Sequence, residues 1–151
     1  MIKVLFVCWG NICRSPMGEY ILKHIVAEKG LASDFYIESA ATSTEEIGNP
    51  VYPPARSVLN KHGINCNGHH ARQVRKDDYD RFDIIIAMED IHKNIMENRF
   101  FGGDPEEKIH LCMEYAGRPG EAVDDPWYTG RFDEVYAQIT EACLGLIETV
   151  K

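Results

Sequence analysis

Ile2-Lys3-Val4-Leu5-Phe6-Val7-Cys8-Trp9-Gly10-Asn11-Ile12-Cys13-Arg14-Ser15-Pro16 passes from an apolar run, through a loop with one glycine, into the start of a helix. A continuous apolar run broken only by Lys3 is the pattern of a strand buried on both faces, as in a parallel sheet. Ser15-Pro16 reads as a helix start, with Ser as N-cap and Pro at the first helical position. Met17, Ile21 and Ile25 supply the stripe of that helix, and Gly30 ends it.

The same alternation continues downstream. Phe35 to Ala40 reads as a second strand, followed by a loop around Gly48-Asn49-Pro50. Pro53-Pro54 open a helix through Ala55, Val58 and Leu59, closed by Gly63. Ala71 to Val74 reads as a short, weak strand and Asp83 to Met88 as the central one. Ile91, Ile95 and Met96 mark a helix, and Lys108 to Cys112 another strand. Glu114 to Gly130, rich in Gly, Pro and Asp, reads as a loop long enough to suspect function. Phe132, Val135, Tyr136, Ile139, Cys143, Leu146, Ile147 and Val150 form the stripe of a last helix. Strands alternating with helices imply an α/β fold of three layers, a parallel sheet with helices on both faces. In such a sheet ligands sit beyond the carboxyl ends of the strands, which makes the loop after the first strand the first place to look.

The 151 residues are the length of one domain, taken as 1–151, with no repeat, linker or low-complexity tract. The net charge of -8 argues against nucleic acid or an anionic membrane as partner. Any anion site must therefore be built from local groups against the global field. The N-terminal apolar run is too short for a signal-peptide core, and no stretch approaches a transmembrane helix. Five cysteines, an odd number with no secretory signal, read as reduced thiols in the cytoplasm. Cys66 with His69 and His70 is the single hint of zinc and lacks a second ligand pair, so no metal is expected.

The loop itself carries chemistry. Five residues separate Cys8 from Arg14, enough for successive backbone N–H groups to turn into one concavity. The helix that follows adds free N–H groups and the positive end of its dipole. Gly10 permits a turn that a side chain would block. The result is a cup for a dianionic phosphate, in which inorganic phosphate or sulfate is also expected to sit. Cys8 lies at its floor, where the same dipoles favour thiolate over thiol. A thiolate there can attack phosphorus and form a cysteinyl-phosphate. Arg14 offers planar, bidentate donors to two phosphate oxygens. Ser15 can donate its hydroxyl to the Cys8 sulfur as well as cap the helix. The bland alternative makes Cys8 a buried strand residue, Arg14 a surface charge and Ser15 a cap. A strand before the C-x5-R match, a glycine within it and Ser-Pro after it weigh against that.

Cys8-x-Gly10-Asn11-Ile12-Cys13-Arg14-Ser15-Pro16 resembles the signature of the low-molecular-weight protein tyrosine phosphatase family, and the resemblance extends over essentially the whole chain. It implies a flavodoxin-like fold of the phosphotyrosine phosphatase I type with a four-stranded parallel sheet. It also implies phosphotyrosine-containing proteins as substrates and no cofactor. Asp125, against Pro126 in Asp124-Asp125-Pro126-Trp127-Tyr128, resembles the family's general acid, with Asp124 modulating local charge. Asn11 resembles a strut for the loop, partnered by Ser39 and by His69, with His70 as the alternative. Trp9, Trp127 and Tyr128 are expected to wall the pocket, to a depth that selects phosphotyrosine over phosphoserine. Glu45 or Glu46 stands where some relatives carry an aromatic. A thiol at Cys13 implies a reversible, protective disulfide with Cys8, while Cys66, Cys112 and Cys143 read as small buried hydrophobes.

Three rivals remain. An arsenate reductase on the same fold needs two further closely spaced redox cysteines, and Cys66, Cys112 and Cys143 are scattered. A protein-arginine phosphatase is expected to carry a smaller polar residue in place of Ile12. A non-catalytic phosphate-binding module is expected to have lost Cys8, Arg14 or the acid.

Overall fold

The computed structural model describes residues 1–151. Four parallel strands, β1 (Ile2–Cys8), β2 (Phe35–Ala41), β3 (Ile84–Ala87) and β4 (Ile109–Leu111), form one sheet in the order β2-β1-β3-β4. β1 is central, with Phe6 opposite Ser39 on one side and Ile86 on the other. Alternate side chains of β1 go to opposite faces, as the pleat requires. Val4, Phe6 and Cys8 enter a core shared with α1 (Arg14–Glu28), α2 (Pro53–Lys61) and α6 (Phe132–Val150). Leu5 and Val7 enter a second core, with Val74, Tyr79 of α3 (Asp78–Arg81), Phe82 and Met96. The chain is thus a three-layer α/β fold of the flavodoxin-like kind. Burying the phenyl ring of Phe6, 1% exposed, contributes roughly 2–3 kcal/mol. Gly18 lets α1 lie directly on that ring, since a Cβ there would stand 2.5 Å from Phe6 Cδ1.

Four expectations need correction. Ala71 to Val74 is not a strand; it meets the sheet through one parallel bridge, Ala41 to Gln73, because β2 ends at Ala41 and leaves it no further edge to pair with. The first helix starts at Arg14, one residue before Ser15. Its N-cap is Cys13, without a side-chain cap, and Pro16 is the third helical residue, where a missing N–H still costs nothing. The backbone has already turned helical in closing the cup, which frees the Ser15 hydroxyl for other bonds. In α4 (Asp90–Ile95), continued by a π-helical turn over Met96–Phe101, Ile91 is exposed and His92 takes the buried place. Finally, the segment Glu114 to Gly130 is not all loop. It begins within a 3-10 turn over Cys112–Ala116 and contains α5 (Pro126–Thr129).

The strand order reverses between β1 and β3, so a crevice opens beyond Cys8 and Met88.

Candidate active site

Cys8 is the last residue of β1, held there by its carbonyl, which accepts from Thr42 N at 2.9 Å. Its sulfur lies 2.9 Å from Ser15 Oγ and accepts from the Asn11 amide at 3.3 Å. Asn11 is the pivot of the loop. Its φ of 60° is left-handed, a region that Asn enters more readily than most residues. Its buried side-chain amide donates to Ser15 Oγ at 2.7 Å and to Ser39 Oγ at 2.9 Å. Its Oδ1 accepts from the Arg72 amide at 3.1 Å. Those bonds fix the direction of the protons. Ser15 already accepts from Asn11, so its own O–H is free to point at the Cys8 sulfur. Ser39, likewise an acceptor from Asn11, donates to Glu19 Oε1 at 2.6 Å. One primary amide therefore aligns two hydroxyls, one toward the Cys8 sulfur and one toward the Glu19 carboxylate.

His69, not His70, supports the loop. Its Nε2 lies 2.8 Å from the Asn11 carbonyl, which can only accept, so the ring carries its proton there. Burial pulls the His69 pKa below its ordinary value against the opposing Asn11 bond and Glu19 charge. His70 is exposed and bonds the Gly48 carbonyl at 3.2 Å.

Arg14 is 3% exposed. Its Nη1 donates to Glu89 Oε2 and to the Val123 carbonyl, both at 2.8 Å. Nη2 stands 3.5 Å from Asp125 Oδ2. Asp125 caps α5 by accepting from the Trp127 amide at 3.1 Å, which orients the carboxylate over the crevice. Asp124 is exposed and lines no part of it. The crevice is a cavity of about 270 Å³. Cys8, Gly10, Ile12, Cys13 and Arg14 form its floor and near wall; Trp9, Glu45 and Glu46 form one rim, and Asp125, Trp127 and Tyr128 the other. Tyr52 backs Trp127, with ring centroids 4.8 Å apart. Cys13 lies in the same wall as Cys8, and burial together with the neighbouring Cys8 charge pushes its pKa to about 12, so it remains a thiol.

Sequence reasoning thus names the residues that the fold brings together, and it misses those that hold them. Glu89 directly follows the apolar run of β3 and Met88, and the strand-end rule points to it. Glu19 is one helical turn beyond Ser15, on the same face of α1. The Val123 carbonyl and the Arg72 amide carry no side-chain signal. His92, 1% exposed, is another omission; burial, then the Arg14 charge, drives its pKa down to about 3.

The arrangement can hold an anion against Cys8 and Arg14, attack it with sulfur, and deliver a proton from Asp125 across the cavity. The likenesses to known proteins concern the chain as a whole. Residues 3–151 match the family model described as low molecular weight phosphotyrosine protein phosphatase. The low molecular weight protein-tyrosine-phosphatase YfkJ of Bacillus subtilis is 40% identical over 100% of this chain and 97% of its own length. Its crystal structure superposes with a TM-score of 0.94 at 39% identity, covering 99% of this chain and 94% of that one. A low molecular weight phosphotyrosine protein phosphatase of Gallus gallus is 38% identical over 97% of this chain and 94% of its own. A drosophila arginine phosphatase structure is 34% identical with a TM-score of 0.87, covering 99% of this chain and 98% of that one.

Proposed function

The chain belongs to the low molecular weight phosphotyrosine protein phosphatase family and is a phosphatase of that class, and from that premise we propose that it hydrolyses phosphotyrosine in proteins through a cysteinyl-phosphate on Cys8. The observation that carries this reading is the Cys8 sulfur at the cavity floor, 2.9 Å from the Ser15 hydroxyl, with Asp125 across the cavity.

In the first step the Cys8 thiolate forms a bond to phosphorus as the bond to the tyrosine oxygen breaks. Asp125 gives its proton to the departing phenolate, which leaves as neutral tyrosine. Arg14 and the loop amides hold the equatorial phosphoryl oxygens, whose charge they stabilise throughout. In the second step Asp125, now a carboxylate, takes a proton from water as that water attacks phosphorus. Sulfur departs as thiolate, and the Ser15 hydroxyl stabilises it by donating a hydrogen bond. Glu89 and the Val123 carbonyl occupy Nη1 of Arg14, so Nε and Nη2 are the groups left to face phosphate. Substrate must then part Arg14 from Asp125, which also frees the carboxyl group for the leaving oxygen.

Trp9, Trp127 and Tyr128 suit a flat aromatic ring, and Ile12 in the wall favours it over a phosphorylated guanidinium. A reducing compartment such as the cytoplasm accords with five unpaired thiols. Should peroxide oxidise Cys8 to a sulfenic acid, the Cys13 thiol in the same wall would condense with it, losing water and forming a disulfide that shields the nucleophile. The test is hydrolysis of p-nitrophenyl phosphate, a phosphotyrosine peptide and a phosphoarginine peptide. Wild type should turn over the first two well and the third poorly. Cys8→Ser should abolish turnover and still bind phosphate. Native rates in Cys8→Ser would end the reading.

A further inference from the structure

We propose that Glu45, with Glu46 beside it, makes the mouth of the pocket selective for phosphotyrosine that has a basic residue, arginine above lysine, next to it in the substrate chain. The inference rests on the phosphatase reading and concerns the part of the substrate that stays outside the phosphate cup.

The one cation among the residues lining the cavity is Arg14, buried at the floor and already held by Glu89. The rim carries carboxylates. Glu45 Oε2 accepts from Trp9 Nε1 at 3.0 Å, and Glu46 Oε2 accepts from Asn49 Nδ2 at 2.6 Å. Neither glutamate takes part in any ion pair of the chain. Their bonds to neutral groups hold both carboxylates in place without neutralising them, which lowers the ordering cost of binding a cation there. Glu46 also lies on the loop itself, its Cγ 3.4 Å from where a Cβ of Gly10 would stand.

A phosphotyrosine ring that reaches Cys8 fills the cavity, so its main chain must cross this rim. There it meets the two carboxylates together with the exposed rings of Trp9, Trp127 and Tyr128, which are 42%, 53% and 84% accessible. Carboxylate beside aromatic face is a setting for guanidinium, which can pair with the first and stack on the second. Acidic neighbours in a substrate would meet like charge, on a chain whose net charge is already -8.

Glu45→Gln separates charge from positioning, because the glutamine oxygen can still accept from the Trp9 indole. The experiment compares kcat/KM for two phosphotyrosine peptides identical except for Arg or Gln on both sides of the phosphotyrosine. The readout is the Arg/Gln ratio within each protein, so general losses cancel. Wild type should show a ratio of about fivefold at low salt, in the range for two exposed charge pairs. That ratio should fall to about twofold in Glu45→Gln and near unity in Glu45→Gln/Glu46→Gln, and shrink in wild type at about 0.5 M salt. A wild-type ratio of one or less, or a ratio kept by the double variant, overturns the proposal. So does a ratio kept in Glu45→Gln and lost in Glu45→Ala, since Glu45 would then act only by placing Trp9. If wild type hydrolyses neither peptide, the phosphatase reading fails first; if it hydrolyses both equally, only the rim selectivity fails.

Discussion

Replacing Asn11 with alanine should cost about 4 kcal/mol of folding stability and most of the activity. The side chain makes three buried hydrogen bonds, to Ser15 Oγ, to Ser39 Oγ and from the Arg72 amide. At about 1 kcal/mol each these contribute about 3 kcal/mol. Alanine at a φ of 60° adds about 1 kcal/mol more. Against a typical domain stability of about 5–15 kcal/mol the variant should fold, with a much lower urea midpoint. Asn11→Gly keeps the backbone at ease and loses only the bonds, so it should be about 0.5–1 kcal/mol more stable than Asn11→Ala. Turnover should fall about 10²-fold in both, because the Ser15 hydroxyl loses the donor that aims it at Cys8. Urea unfolding followed by Trp9 and Trp127 fluorescence gives the stabilities, and aryl phosphate kinetics the activity. Should Asn11→Ala lose under about 1 kcal/mol and stay within about twofold of native turnover, the loop is not held by this network.

Asp125→Asn should lower kcat on phosphotyrosine by about 10²–10⁴-fold, and Asp124→Asn should stay within about twofold; the reverse order in steady-state kinetics would move the acid. Gly145→Ala would put a methyl group into the Tyr115 carbonyl oxygen, a backbone atom that cannot step aside. A loss of about 1–3 kcal/mol should appear as a lower thermal midpoint, and an unchanged one would show that α6 shifts freely. His92 stays neutral when folded, down to about pH 3, and takes up a proton near pH 6.5 when unfolded. Acid therefore favours the unfolded chain, and wild type should lose up to about 1.4 kcal/mol per pH unit below 6.5 relative to His92→Asn, measured by urea unfolding between pH 7 and 4.5. Equal pH slopes in the two proteins would refute it.

The sequence makes β1, the loop and α1 legible because their signals are local: an apolar run, one glycine, and a cysteine and arginine at fixed spacing. Asp125 is legible for a different reason, since its place against Pro126 resembles the family's general acid. The supports are not, because each is a distant residue with an ordinary local reading. Glu89 looks like surface charge after a strand, yet it lies 75 residues from Arg14 in the chain and 2.8 Å from it in space. Ala71 to Val74 has strand composition, but one bridge to Ala41 is all that forms. What that stretch does instead is carry the Arg72 amide to Asn11, a main-chain role that composition cannot express. His92 hides behind Ile91, since hydrophobicity alone points the helix the wrong way by one residue.

The cup draws its shape from β2, from the turn at His69 and from the main chain at Arg72, all on the far side of Gly30 from Cys8. A protein built this way has no catalytic fragment. A cut between Thr44 and Pro50 would leave every reactive side chain intact but sever the chain between the piece that keeps Cys8 and Ser39 and the piece that carries His69, Arg72 and Asp125, so nicking there should lower turnover without removing any catalytic group.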